Sequence, residues 1–310
     1  MSAIENSDLK GVQIAIRQGA DPNIAPKGEN RPITVAIATF GFTKEAPERE
    51  KARGIISYLF SKGARLSGHK DELFMAIFSN DKLLMSTLLD RGLDPHSKLD
   101  GYSSIELAYL RKSDGLIPLL RSRNVPDIQP EDQQVMRIMR ALTWLDHEAL
   151  KKLIDEKVDL NQYDPRGRTP LLEALSSSSW IMVPECFLQI LLGAPNFNLQ
   201  SRWEGDYGMY PLHRLAATLT IESKYADSVA GLILVVVHRH ADPNVKDKFD
   251  ETPLHYAARG NFPQITQALL MAGANPLAVN FRGQRPSSQA KNSEIRSMLL
   301  KAEKSAIEAQ

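Results

Sequence analysis

The sequence predicts an all-α protein, a solenoid of stacked helix-turn-helix units carrying short hairpin or loop fingers. Three observations lead there. The run Thr252-Pro253-Leu254-His255, followed by Ala257-Ala258, recurs in degraded form along the chain. A second run, Gly273-Ala274-Asn275-Pro276, closes that segment and has its own copies upstream. The copies are also periodic. Anchored at positions 19, 63, 92, 124, 157, 193, 240 and 273, they stand 44, 29, 32, 33, 36, 47 and 33 residues apart. Such intervals scatter about the ~33-residue period of a helix-pair repeat.

Each part of one unit has a physical reason. Thr252 suits a helix N-cap, its hydroxyl accepting from a free backbone N–H of the first turn, and Pro253 suits the first helical position. Leu254, Ala257 and Ala258 keep that helix slim, so the next can approach closely. Asn261-Phe262-Pro263 turns the chain into a second helix, predicted from Gln264 to about Ala272, with Ile265, Ala268 and Leu269 on one stripe. Gly273 fits a left-handed C-terminal cap. The polar stretch after Asn275 is too short for a helix and projects as a finger. One unit cannot bury its apolar face alone, so neighbours must stack.

Taken in order, the chain reads as one continuous array over 1–310. An N-terminal cap occupies Met1–Ile24, with its second helix near Asp8–Gln18. Repeats follow at about 25–66, 67–97, 98–129, 130–161, 162–199, 200–245 and 246–278. A C-terminal cap spans 279–310 and ends in a polar helix, Glu294–Glu308. The Pro-rich finger between Arg121 and Glu131 lacks a helix-opening motif, yet Val135–Leu142 and His147–Leu153 still read as a helix pair. Thr39–Pro47 and Thr218–Asp227 are expected to be long interhelix segments, behind the 44- and 47-residue intervals. The charged 44–53 stretch is expected to be a tolerated insertion; Phe40 and Phe42 argue the other way.

The run Glu251-Thr252-Pro253-Leu254-His255-Tyr256-Ala257-Ala258 resembles the signature of the ankyrin repeat family. Tyr210-Pro211-Leu212-His213 and Arg168-Thr169-Pro170-Leu171-Leu172-Glu173-Ala174 are close copies. Arg31-Pro32-Ile33-Thr34-Val35-Ala36 and Ser103-Ser104-Ile105-Glu106-Leu107-Ala108 are weaker ones. The likeness covers nearly the whole chain and is specific from about residue 131 onward. It implies binding of another protein through a concave side built from finger tips and first helices.

Composition limits the alternatives. With 310 residues and 43% apolar content, the chain can bury a large core. No segment has the length of a membrane span, and Val229–Val237 reads as a buried second helix. Thirty-eight basic against 37 acidic residues leave a formal charge of +1, which argues against nucleic-acid or membrane-surface binding through bulk charge. A lone Cys186 excludes an internal disulfide and a cysteine-based metal cluster, and fits a reducing, cytoplasmic setting. The N-terminus lacks the pattern of a secretory leader.

Chemistry-bearing residues do not converge. Among His69, His96, His147, His213, His238, His240 and His255, the pair His213 and His255 shares one motif position in adjacent repeats. Packed helices stand about 8–10 Å apart, too far for two such imidazoles to share a metal easily. Each is expected instead to order its own turn through the local backbone or capping Thr. His238 and His240 finish a helix, and Cys186 reads as a small core residue. No phosphate-cradling loop, dinucleotide glycine pattern or metalloprotease helix is present. No catalytic residue, metal ligand or cofactor is expected.

Partner-binding candidates lie on the fingers of 162–282: Tyr163 and Arg166, Lys248 and Phe249, Phe281 and Arg282. One finger stands apart. Asn198 to Pro211 spans 13 residues where Asn244 to Pro253 spans 9, and the extra length carries Arg202, Trp203, Tyr207 and Met209, types enriched at interface hot spots. Trp203 is either a binding anchor or a side chain folded back onto the neighbouring finger. The expected function is a noncatalytic scaffold or adaptor, a monomer whose rigid stack loses little freedom on binding. The alternative is a bacterial effector or immunity-type protein acting on a host or rival-cell protein, translocated through its polar tail Lys301–Gln310. An enzyme with a cryptic site is the remaining reading.

Overall fold

The computed structural model describes residues 1–25, 27–68, 70–176, 198–200, 202, 207–217 and 226–309. All named elements among them are helical. They fall into two compact units, Met1–Glu131 and Asp132–Gln310.

The N-terminal unit holds helices α1 (Ser2–Glu5), α2 (Leu9–Arg17), α3 (Pro32–Phe42), α4 (Ala46–Ser61), α5 (Lys70–Phe78), α6 (Lys82–Asp90), α7 (Ser104–Leu110) and α8 (Ile117–Arg121). First helices pack on first helices, α1 on α3, α3 on α5 and α5 on α7, while α2 packs on α4 behind them. Ile33, Ile37, Phe40, Ile55, Leu59, Leu73, Ile77, Leu88 and Ile105 fill the core between the layers.

The C-terminal unit holds α9 (Gln133–Thr143), α10 (His147–Asp155), α11 (Pro170–Ser176), α12 (Pro211–Ala216), α13 (Ala226–His238), α14 (Pro253–Arg259), α15 (Pro263–Met271), α16 (Pro286–Gln289) and α17 (Ser293–Glu308). Here α9, α11, α12, α14 and α16 stack in sequence order, and α13, α15 and α17 form the second layer. Pro occupies the first helical position of α11, α12, α14, α15 and α16, where its missing N–H costs no hydrogen bond.

The period read from the sequence has a backbone counterpart. Gly19, Gly63, Gly92, Asn124, Lys157, His240 and Gly273 all have positive φ, between +56° at Lys157 and +96° at Gly19. The remaining anchor, Gly193, lies outside the described residues. At each the chain leaves a second helix. Past α15, Ala274 N–H returns to Leu269 C=O at 2.9 Å and Gly273 N–H to Leu270 C=O at 3.1 Å, satisfying carbonyls the helix end would orphan.

Two expectations are corrected. Thr39–Pro47 is not a long loop: α3 runs on through Phe42 and α4 starts at Ala46, so long helices make up the 44-residue interval. Nor is 44–53 a passive insertion. The Arg49 guanidinium donates to Ser79 C=O at 2.6 Å, and Arg53 Nη2 meets Asp81 Oδ2 at 2.8 Å, tying this repeat to the next. Both guanidiniums lie over the Phe40 ring, at 4.6 and 5.1 Å. Burial works to raise the Asp81 carboxyl, but the Leu84 N–H and Arg53 outweigh it and hold it below its ordinary value. The predicted second helices otherwise fall close to place, as Leu9–Arg17, Pro263–Met271 and Ser293–Glu308. Residues 218–225 of the second expected loop lie outside the described residues, as do His69 and Cys186.

Candidate protein-binding face of the C-terminal unit

Three fingers of this unit are tight turns, each organised by an Asx side chain. Asp164 Oδ1 accepts from the N–H groups of Arg166 and Arg168, both at 2.9 Å. Asp247 Oδ1 accepts from Phe249 at 2.7 Å and Glu251 at 2.9 Å. Asn280 Oδ1 accepts from Arg282 and Gln284, both at 3.0 Å. A short side-chain acceptor placed two and four residues ahead of these donors closes the turn without sheet partners. Backbone bonds then link finger to finger: Lys248 N–H donates to Tyr207 C=O and Phe281 N–H to Phe249 C=O, each at 3.0 Å.

Those links align three aromatic rings. Tyr207 meets Phe249 with ring centroids 5.9 Å apart, and Phe249 meets Phe281 at 5.8 Å, both tilted. The Arg282 guanidinium lies 5.0 Å over the Phe281 ring. The rings remain open to solvent, at 49% for Tyr207, 38% for Phe249 and 57% for Phe281. Exposed rings already fixed by their neighbours give a partner apolar area at low entropic cost.

The other candidates are placed as follows. Tyr163 is exposed on its own finger. Arg166 bonds within its finger and repeat, to Asp164 Oδ2 at 3.0 Å and Glu173 Oε2 at 2.7 Å. Lys248 supplies the backbone link described above. Arg202 Nε donates to Gly208 C=O at 3.2 Å, and a Cβ on Gly208 would come within 2.8 Å of that Nε, at a φ of +62° that favours glycine. Met209 is a correction. It is 7% exposed, packed inside the unit instead of presented on the finger. Trp203 lies outside the described residues.

The motif histidines hold this face from beneath. Both are fully buried. His255 Nδ1 accepts the Thr252 N–H at 3.1 Å, which places its proton on Nε2, and Nε2 donates to Gln284 C=O at 3.0 Å. His213 repeats the pattern, accepting from Tyr210 N–H at 3.2 Å and donating to Glu251 C=O at 2.8 Å. The Thr252 hydroxyl, at the N-cap of α14, also donates to His255 Nδ1 at 2.9 Å. Each imidazole therefore orders its own turn, as expected, and also bonds the following finger, which was not. Burial drives both pKa values below the ordinary histidine value, against opposing pulls from backbone carbonyls and the nearby Glu251. At the equivalent place in the last repeat stands Ser288, whose hydroxyl donates back to Arg285 C=O at 2.7 Å.

An ionic cluster completes the first-helix side of the face. Glu251 receives both Arg259 Nη atoms, at 2.6 and 2.7 Å. Burial works to raise the Glu251 carboxyl, but Arg259, Gln289 and Asn280 outweigh it and hold it below its ordinary value. Tyr256 donates to Asp247 Oδ2 at 2.7 Å; burial and that carboxylate push its phenol well up. Among the described residues no group of three or more His, Cys, Asp or Glu is placed to hold a metal ion, and no helix is long and apolar enough to cross a membrane.

Comparison with known proteins meets this geometry. Residues 235–286 match the family model for ankyrin repeats in many copies. Neurogenic locus notch homolog protein 1 of Homo sapiens is 32% identical over 139 residues, 45% of this chain and 5% of that protein. The Danio rerio protein of the same name is 31% identical over the same extent. Neurogenic locus notch homolog protein 2 of Homo sapiens is 32% identical over 128 residues, 41% of this chain and 4% of that protein. The chain thus spans about 5% of the length of the curated relatives it matches. Stacked helix pairs, left-handed residues at the repeat anchors, the buried motif histidines and these matches agree: the chain carries ankyrin repeats, matched by the family model over 235–286.

Proposed function

We propose that this chain is a noncatalytic scaffold or adaptor that grips another protein on the fingers and first helices of its C-terminal unit. Ankyrin repeats generally mediate protein–protein interaction. The observation that carries the finer reading is the exposed ladder Tyr207–Phe249–Phe281, continued by the Arg282 guanidinium. Solvated rings of this size are poor surface for an unpartnered chain, and aromatic and Arg side chains dominate interface energetics. A rigid stack presents them with little ordering left to do on binding.

The test is the double variant Phe249→Ala/Phe281→Ala. Affinity capture from cells expressing the natural protein, with quantitative mass spectrometry, is expected to lose the partner bound by the wild type. The rings are partly exposed, so unfolding free energy is expected to change by no more than about 1 kcal/mol. A variant that keeps its captured partner removes the ladder from the interface. A variant that unfolds makes those rings structural.

A further inference from the structure

The N-terminal unit carries a second aromatic cluster, at the C-terminal ends of its first helices and built differently. Phe42, in the last turn of α3, meets Phe78, in the last turn of α5, with ring centroids 5.5 Å apart. Phe74 lies one turn before Phe78 and stacks on it at 6.1 Å and 28°. Arg111, the C-cap of α7, spreads its guanidinium over both, 5.3 Å from Phe74 and 5.6 Å from Phe78. Three consecutive repeats thus contribute one shelf. Phe42 is 61% exposed and Phe78 38%, so the rings are not spent on the core.

The guanidinium makes the shelf selective. Arg111 is half-buried, and burial depresses its pKa. Other half-buried arginines of this unit are matched, Arg53 by Asp81 and Arg49 by Ser79 C=O. No carboxylate or carbonyl among the described residues meets the Arg111 guanidinium. Removing a cation from water without a counter-charge is unfavourable, whereas two rings beneath it leave its N–H edges free to donate in their plane. A planar acceptor of one negative charge matches that fork two bonds at a time. One guanidinium neutralises a carboxylate fully but leaves a phosphoryl dianion with net negative charge, so this single-cation shelf matches a carboxylate better.

We propose that Phe42, Phe74, Phe78 and Arg111 form a docking shelf for a peptide segment of a partner protein carrying an aspartate or glutamate beside an apolar side chain. The carboxylate pairs with Arg111 and the apolar neighbour covers Phe78 and Phe42. This goes beyond the finger-borne interface of the C-terminal unit and does not depend on it.

The experiment uses the full chain and a phage library of random short linear peptides. Wild type is expected to enrich peptides with Asp or Glu next to an apolar residue. An enriched peptide is then synthesised, labelled and titrated by fluorescence anisotropy. Arg111→Gln is expected to weaken it at least about tenfold, the scale of a lost charge-assisted bidentate pair. Library selection on Arg111→Glu is expected to switch towards Lys- or Arg-containing peptides, a reversal that a misfolded variant does not produce. Phe249→Ala/Phe281→Ala is expected to bind the peptide as wild type does. Four results overturn the proposal: no acidic enrichment on wild type, undiminished binding by Arg111→Gln, a phosphoserine peptide that outcompetes its glutamate counterpart, or loss of binding in the Phe249→Ala/Phe281→Ala variant.

Discussion

Lowering the pH through the histidine range should loosen the C-terminal unit, and the structure sets the size of the effect. His213 and His255 are fully buried, each with both ring nitrogens engaged by backbone groups. A proton on Nδ1 would turn an acceptor towards the Tyr210 or Thr252 N–H, donor against donor. The folded pKa values accordingly lie below the ordinary 6.5. The unfolded chain takes up these protons as pH falls through about 6.5 while the folded chain does not, so stability is present above that pH and declines below it. With both imidazoles held neutral, the loss on reaching one unit below is at most about 1.4 kcal/mol per histidine, or about 3 kcal/mol for the pair. The Glu251 carboxyl is likewise held below its ordinary value, so its contribution is lost only as pH falls below its unfolded value of 4.5, and the two limbs separate. The assay is urea unfolding followed by circular dichroism across this range, for wild type and for His213→Gln. The variant should start less stable and lose roughly half of the slope in the upper limb. A flat wild-type midpoint between about pH 6.5 and 5.5, or a variant with the full slope, would refute the reasoning.

Two further predictions concern the frame. Gly273 has φ +86° with nothing within 4 Å of a Cβ, so Gly273→Ala should cost about 1 kcal/mol from backbone strain alone, while His240→Gly, at φ +68°, should gain a comparable amount, both read from denaturation midpoints. Phe40 is fully buried beneath Arg49 and Arg53 whereas Phe42 is 61% exposed, so Phe40→Ala should cost about 3–5 kcal/mol and Phe42→Ala less than about 1 kcal/mol by the same measurement.

How far the sequence could be read depended on how local the physics was. The anchors were readable because a left-handed residue after a helix is a three- or four-residue event, and Gly273, Gly92 or Gly63 announces it. His240 and Lys157 adopt the same backbone without glycine, and only the period pointed to them. The 44-residue interval looked like a loop, yet Glu48, Arg49, Glu50, Lys51 and Arg53 are good helix formers and sit within α4. Phe40 and Phe42 are two residues apart, and helical phase alone sends one inward and one out. The ladder was hardest to see. Measured from their Asx residues, Phe281 corresponds to Lys248 and Phe249 to Arg282, so the stacked rings occupy unlike positions. Spacing between repeats, absent from any single repeat, brings them together. Met209 was chosen by residue type, which says nothing of the direction its backbone gives it. Arg111 stood out only by its guanidinium lying over Phe74 and Phe78 with no carboxylate among the described residues paired to it.

The histidine bonds run one way along the chain: His213 to the carbonyl of Glu251, then His255 to the carbonyl of Gln284. Support in this unit is therefore directional. Loss of the stretch downstream of either histidine strands a buried N–H donor, whereas loss of the repeat upstream strands only a carbonyl, the milder vacancy. Fraying should start more easily at the N-terminal side of this stack than at the side that Ser288 closes upon itself.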